Sequence, residues 1–202
     1  MSGMFITLEG VDGAGKSSHL AWLEDWFKAR GQPVRMTREP GGTPVGERLR
    51  ELVLHESMHV ETEALIMFAA RREHIEHVIR PALAAGEVVI SDRFTDASFA
   101  YQCGGRGLLE TRLAVLESWV HADLNPDLTL LFDLSPEIAA QRLASARAPD
   151  RFEREKTDFH ARVRNAYLHR AELYPQRIRV VDGSQSLAEV RVQLAAILES
   201  LT

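Results

Sequence analysis

Three features of the sequence predict an α/β fold built on a parallel sheet flanked by helices. Short apolar, β-branched runs alternate with segments of helical period, the arrangement that generates βαβ units. One run, Leu128-Thr129-Leu130-Leu131-Phe132-Asp133, is apolar almost to its terminal acid, as suits a strand covered on both faces. Finally, Gly10-Val11-Asp12-Gly13-Ala14-Gly15-Lys16-Ser17 fits the pattern G-x-x-x-x-G-K-[ST], with a strand-like run before it and a helix pattern after it. Such a loop turns successive backbone N–H groups and a helix N-terminus toward phosphate oxygens.

The elements follow in order. Met4-Phe5-Ile6-Thr7-Leu8 reads as the first strand, and Leu20, Trp22, Leu23, Trp26 and Phe27 recur at helical spacing until Gly31. Val34-Arg35-Met36-Thr37 reads as a second strand. The stretch Arg38-Glu39-Pro40-Gly41-Gly42-Thr43-Pro44 is irregular, because two prolines and two glycines break either ladder. Helices are predicted over 45–54 and 61–85, with Gly86 as the second stop, and a strand over 87–92 ends on Asp92. A mixed segment closes with Cys103-Gly104-Gly105-Arg106-Gly107, and a helix covers 110–121. After the strand at 128–133, Ser135 and Pro136 open a helix as N-cap and first-turn proline. That helical pattern breaks at Pro149 and resumes to about Tyr174, and a strand at 178–181 and a helix at 186–201 complete the chain. With no repeat or linker, residues 1–202 read as one domain with a mobile flap around 145–153.

Bulk properties narrow the function. The 202 residues carry a formal net charge of −5, so neither nucleic acid nor an anionic membrane is an expected partner. An anionic ligand would then need arginines gathered at one site. Cys103 is the single cysteine, which excludes an intrachain disulfide and a cysteine-rich zinc site. The first strand leaves no room for a signal peptide and no apolar run reaches membrane-span length, so a cytoplasmic protein is expected.

The chemistry carriers each have a bland alternative. Lys16 would reach β- and γ-phosphates, Ser17 would ligate Mg²⁺, and Asp92 at a strand end would help hold the ion or else cap a turn. Arg38 and Arg93 follow strand ends and would face the same crevice as the loop, where guanidinium forks suit a second phosphate; otherwise they are solvated surface. Arg50 carries less weight, being one arginine on a helix. Met67-Phe68-Ala69-Ala70-Arg71-Arg72 sets an apolar group one turn from a guanidinium, suited to stacking on and bonding a base, or to an ordinary amphipathic helix. Arg147, Arg151 and Arg154 bracket Pro149 and would close over transferring phosphates, or form a charged helix face. His55-Glu56-Ser57-Met58-His59 matches H-E-x-x-H, but it falls where a helical pattern fades and so reads as a chance match. His74 and His77 read as helix-surface residues.

Leu8-Glu9-Gly10 running into the phosphate loop, Thr37-Arg38-Glu39-Pro40-Gly41-Gly42-Thr43, Phe68-Ala69-Ala70-Arg71, Asp92-Arg93-Phe94 and Ala100-Tyr101-Gln102-Cys103-Gly104-Gly105-Arg106-Gly107 together resemble the thymidylate kinase family across essentially the whole chain. The resemblance implies a three-layer P-loop nucleoside monophosphate kinase fold with a five-stranded parallel sheet. It also implies transfer of the ATP γ-phosphoryl group to dTMP with Mg²⁺, and a homodimer. On the donor side it implies that ATP is held by Gly10, Val11, Asp12, Gly13, Ala14, Gly15, Lys16, Ser17 and Ser18, with Arg142 and Asp182 near adenine. On the acceptor side, Arg38, Arg50 and Arg93 would hold the dTMP phosphate, with Glu39 in the same site. Phe68 or Met67 would stack on thymine, and Arg71 or Arg72 would reach a base carbonyl. Ser98 and Gln102 would contact the base, Tyr101 would crowd the sugar 2′ position, and Asp12 would orient the 3′-hydroxyl. The family has two subtypes that differ in the source of a catalytic arginine. Gly13 in the loop, with Arg147 and Arg151 in the flap, resembles the bacterial type. Cys103 stands where glycine is usual in the family.

Overall fold

The computed structural model describes residues 3–143 and 150–201. Its sheet contains β1 (Met4–Glu9), β2 (Val34–Arg38), β3 (Val88–Asp92), β4 (Leu128–Asp133) and β5 (Ile178–Asp182), all parallel and in the order β2-β3-β1-β4-β5. The central strands are buried on both faces, whereas the edge strands β2 and β5 mix buried and exposed positions. Side-chain alternation serves two cores. Ile6, Leu8, Val88 and Ile90 pack with Leu23, Phe27, Leu194 and Leu198, while Phe5 and Val89 pack with Phe68, Ile75, Ile79 and Leu113. Each large apolar side chain buried in this way contributes about 1.5–3 kcal/mol.

The helices are α1 (Ser17–Lys28), α2 (Pro44–His55), α3 (Val60–His74), α4 (Arg80–Ala84), α5 (Thr95–Ser98), α6 (Glu110–His121), α7 (Pro136–Leu143), α8 (Thr157–Leu173) and α9 (Leu187–Glu199). Thr43 caps α2 by accepting the Gly46 N–H at 2.9 Å, with Pro44 in the first turn. The helix expected over 61–85 is interrupted: a π-helical turn, Ile75–Ile79, separates α3 from α4. Pro81 cannot donate to the carbonyl four residues back and crowds it, so the helix widens just upstream.

The segment read as mixed, 94–107, is largely helical: α5 runs into a π-helical stretch, Phe99–Gly105. The glycines that close it allow α8 to come close. A Cβ on Gly104 would lie 2.5 Å from the Ala166 methyl, and one on Gly105 would lie 2.4 Å from the Phe159 ring. Tertiary packing overrides local propensity at these positions. The H-E-x-x-H residues split as expected, since α2 ends at His55 and His59 is the N-cap of α3, so the two histidines do not share a helix.

A buried charge cluster ties α5 to α8 and to the start of β5. Asp96, 2% exposed, accepts from Arg170 Nε at 2.9 Å and Arg177 NH1 at 2.7 Å, and Arg177 also reaches Thr129 Oγ1 at 2.7 Å. Removing the carboxylate would leave two arginines without their shared anion. Asp96→Ala should therefore cost about 3–5 kcal/mol of unfolding free energy, read from urea denaturation midpoints at constant slope. A loss below about 1 kcal/mol would show that solvent replaces the anion.

Candidate active site

The carboxyl ends of β1, β2 and β3 set up the site. In the strand register Leu8 and Arg38 both align with Asp92, so Glu9, Arg38 and Asp92 emerge at one edge of the sheet. A cavity of about 530 Å³ opens there, lined on one side by Asp12, Gly13, Gly15, Lys16, Ser17 and Ser18. Arg38, Glu39, Arg50, Met67, Asp92, Arg93, Tyr101, Gln102 and Arg142 also line it. It thus lies beyond the strands' carboxyl ends, where ligands of open α/β sheets bind.

The phosphate loop is held by backbone geometry that only glycine supplies readily. Gly13 sits at φ +81, and a Cβ there would approach the Ala139 carbonyl oxygen to 2.5 Å. Lys16 Nζ donates to the carbonyls of Gly10 at 3.1 Å and Val11 at 3.3 Å. Burial and the neighbouring Arg93 charge lower the Lys16 pKa, against the pull of Asp92, Asp12 and Glu9.

Arg93 takes a left-handed backbone, φ +72, at the turn out of β3. Such a conformation costs a side-chain-bearing residue about 1–2 kcal/mol, and three hydrogen bonds hold it. Arg93 N donates to Leu8 O at 2.9 Å, Ser91 Oγ donates to Arg93 O at 2.7 Å, and Phe94 N donates to Glu9 Oε1 at 2.7 Å. The turn sends the guanidinium back over the loop. There it donates to Asp12 Oδ1 at 2.7 Å, Gly10 O at 3.1 Å, Tyr101 Oη at 3.1 Å and Tyr167 Oη at 3.0 Å. Burial would raise the Asp12 pKa, but Arg93, Lys16 and the Tyr101 hydroxyl outweigh it and hold the carboxyl well below the usual range.

Asp92 Oδ1 is buried without a hydrogen-bond partner among the described residues, on a cavity that Ser17 also lines. A free carboxylate oxygen and a hydroxyl on one cavity are hard-oxygen donors of the type Mg²⁺ takes alongside substrate phosphates. Arg38 pairs with Glu47 at 2.8 Å. Arg50 donates to Pro40 O at 2.9 Å, and burial together with the Arg38 charge lowers its pKa.

Several predicted residues are placed differently from expectation. Phe68 is fully buried away from the cavity, its ring stacked on His121 at 6.0 Å, so it cannot stack on a ligand; Met67, one residue earlier on α3, lines the cavity instead. Arg71 and Ser98 lie one layer behind the wall, where Arg71 donates to Glu39 Oε2 at 2.7 Å, Phe94 O at 3.1 Å and Ser98 Oγ at 3.1 Å. Arg71 NH1 has no partner among the described residues. Arg72 points elsewhere, to Val120 O at 3.2 Å. Asp182 folds its own turn by accepting from Ser184 and Gln185, while Gly183 lines a neighbouring cavity of about 350 Å³ with Ala14, Gly15, Ser18 and Arg142. Arg151 turns from the phosphate loop to Glu63 Oε2 at 2.5 Å and Val53 O at 3.0 Å, and Arg154 is exposed off the cavity lining. Arg147 lies outside the described residues.

Sequence reasoning missed three participants. His74, expected on the surface, is fully buried, with Nδ1 2.8 Å from Glu39 Oε1 and Nε2 2.6 Å from Thr37 Oγ1. Glu63, also fully buried, gathers three donors, and Glu9 accepts from Phe94 N and from Tyr167 Oη at 2.7 Å. Glu63, Met67, Arg71 and His74 recur at helical spacing, so counting polar residues as core positions would have exposed two of them.

A phosphate loop, a strand-end acid and a second arginine-lined pocket on the carboxyl edge of a parallel sheet define the class of P-loop nucleoside monophosphate kinases. The thymidylate kinase family model matches residues 8–194. The chain is 62% identical over 198 residues to the thymidylate kinase of Methylobacillus flagellatus, covering 98% of each, and 61% identical over 201 residues to that of Cupriavidus metallidurans, covering all of both. The crystal structure of thymidylate kinase from Ehrlichia chaffeensis superposes with a TM-score of 0.79 at 30% identity, covering 98% of this chain and 99% of that one. This chain belongs to the thymidylate kinase family.

Glu9 gives a pH test of how the site is built. Burial and the nearby Asp96 charge raise its pKa from 4.5 to about 7, against Arg93, Tyr167 and the Phe94 N–H. The folded state therefore binds this proton more tightly than the unfolded chain, and the contribution of Glu9 to stability falls as pH rises from about 4.5 to about 7. In Glu9→Gln the melting temperature relative to the parent should rise across that window and level off above it. Parallel pH profiles for the two proteins would contradict the shift.

Proposed function

We propose that the chain transfers the γ-phosphoryl group of ATP to dTMP, giving dTDP and ADP. The observation that carries this reading is the juxtaposition in one cavity of the phosphate loop with Arg38, Arg50 and Arg93. A phosphomonoester has its second pKa near 6, so its attacking oxygen is already mostly deprotonated at neutral pH. No general base is then required, and catalysis reduces to positioning and charge neutralisation.

In this reading the loop N–H groups, Lys16 and Ser18 hold the donor phosphates, and Arg142 with Gly183 walls the adenine side. Ser17 and Asp92 are the residues that would hold Mg²⁺, which neutralises donor phosphate charge when bound. Arg38, Arg50 and Arg93 take the acceptor phosphate, Asp12 and Tyr101 face the sugar, and Met67 and Gln102 face the base, with Arg71 supported by Glu39 and His74 behind them. Arg147 supplies the transition-state charge from the flap around 145–153, the arrangement of the bacterial subtype. Arg151 is assigned to seating the flap, on the strength of its bonds to Glu63 and Val53.

A homodimer belongs to the same proposal. Leu65 on α3 and Val115 and Trp119 on α6 are 54%, 67% and 78% exposed on two helices that pack together, an apolar surface suited to a second copy. Among the described residues no helix is long and apolar enough to cross a membrane. A cytoplasmic setting is proposed from the substrates and the single, buried cysteine.

A coupled ADP-release assay with dTMP, dUMP, AMP and CMP should show clear preference for dTMP, with Lys16→Ala as the inactive control. Equal turnover of all four acceptors would overturn the substrate assignment. Arg147→Ala should lower kcat on the order of 10³-fold while the KM for dTMP stays within about threefold. A change confined to KM would remove Arg147 from the transition state.

A further inference from the structure

We infer that Glu63 is a positioning residue which fixes the hydrogen-bonding sense of the base-reading amide and seats the turn at Arg151–Glu155 against it, an inference that rests on the acceptor reading above. The carboxylate is fully buried on α3 and joins two segments distant in sequence. From the π-helical stretch and the residue that follows it, Gln102 Nε2 donates to Oε1 at 2.8 Å and Arg106 Nε at 3.1 Å. From the turn beyond residue 150, Arg151 NH2 donates to Oε2, while Arg106 NH1 reaches Glu155 at 2.9 Å.

The first consequence is chemical. An ionised carboxylate offers only acceptors, so it holds the amide NH₂ of Gln102 and leaves Gln102 Oε1 on the other side. That oxygen is buried without a partner among the described residues, in a side chain that lines the acceptor cavity. An unpaired buried acceptor selects a ligand that brings a donor: the ring N–H of a 4-oxo-pyrimidine fits, and the bare ring nitrogen of a 4-amino-pyrimidine does not. Glu63 thereby sets specificity without touching the base.

The second consequence is mechanical. The same carboxylate lies between two guanidiniums, one of them in the turn at Arg151–Glu155, whose Phe152 ring packs edge-on against Tyr101 at 5.6 Å. Asp150, Phe152 and Glu153 line the same cavity as Gln102. A neutral amide at position 63 could not satisfy both cations and would be free to present either polar atom to Gln102, so both amide orientations would become accessible.

The test uses the full-length protein with Glu63→Gln, and Glu63→Met, which likewise removes the acceptor-only carboxylate, read in its place should the first fail to melt cooperatively. Two quantities are measured: the ratio of kcat/KM for dTMP over dCMP, and the slowing of amide hydrogen exchange in residues 150–156 on adding dTMP. We expect the ratio to fall about tenfold, equivalent to one hydrogen bond, and the exchange protection to be lost. Arg151→Lys should lose the protection while keeping the ratio. A variant that lowers both substrates by the same factor, or keeps the protection, would reduce Glu63 to a packing role and overturn the inference. Failure of the unsubstituted protein to phosphorylate dTMP would instead overturn the acceptor reading.

Discussion

The site depends on one sharp constraint, the left-handed turn by which the chain leaves β3 at Arg93. An extended exit would carry the guanidinium away from the loop; at φ +72 it folds back onto Asp12 and the Gly10 carbonyl. The conformation is sterically unfavourable for arginine, so its neighbours must over-determine it. Glu9 does so from β1 by accepting the Phe94 N–H, and its other oxygen is held by Tyr167, a residue of α8 whose hydroxyl also accepts from Arg93. Strand end, loop and distant helix thus share one hydrogen-bonded unit. The exchange is costly in another respect, because a carboxyl buried this deeply resists ionisation.

Electrostatics at the cavity run against the charge of the whole. A chain of net charge −5 places Lys16, Arg38, Arg50, Arg93 and Arg142 around one space. These cations are not left bare. Asp12 neutralises Arg93, Glu47 takes Arg38, and carbonyls occupy Lys16 and Arg50. The lowered pKa of Arg50, caused by burial and by Arg38, records residual repulsion that an anionic ligand would relieve. Each protein partner keeps its cation oriented on the cavity, and in the proposed mechanism the bound phosphates compete with these partners for the same groups.

Much of this was legible in the sequence for identifiable reasons. The strands β1, β3 and β4 and the helix α6 fall where the apolar runs and helical spacing predicted them, since those signals come from burial itself. The loop was legible because its chemistry demands glycine at fixed intervals. What could not be read depends on through-space packing. Gly104 and Gly105 look like helix breakers in one dimension, and only the approach of α8 shows why they are small. Phe68 was the natural stacking candidate by residue type, yet one position along a helix is about a hundred degrees of rotation, which turns Met67 to the cavity and Phe68 to the core. Glu9, Glu63 and His74 were missed or misread because a buried polar residue is named by its partners, 35 positions away for His74 with Glu39 and 158 for Glu9 with Tyr167, and only the helical spacing of α3 marks Glu63 and His74 as core positions.

Gly13 shows how a packing constraint can dictate where a charge must come from. Its backbone is left-handed, and the space a side chain would occupy is filled by the Ala139 carbonyl and the Leu143 side chain of α7. An arginine placed there would have to strain the loop or displace the helix that walls it. The loop backbone cannot compensate, because its N–H groups already define the phosphate cradle. Lys16 is confined beneath it by two carbonyl contacts. Arg38 at the end of β2 and Arg93 just past β3 also line the cavity, and in the proposed mechanism Arg147 adds one further cation. The glycine that tightens α7 against the loop leaves no room there for a cationic side chain, which fits the role proposed for Arg147, and a chain with arginine in the loop would need α7 packed differently.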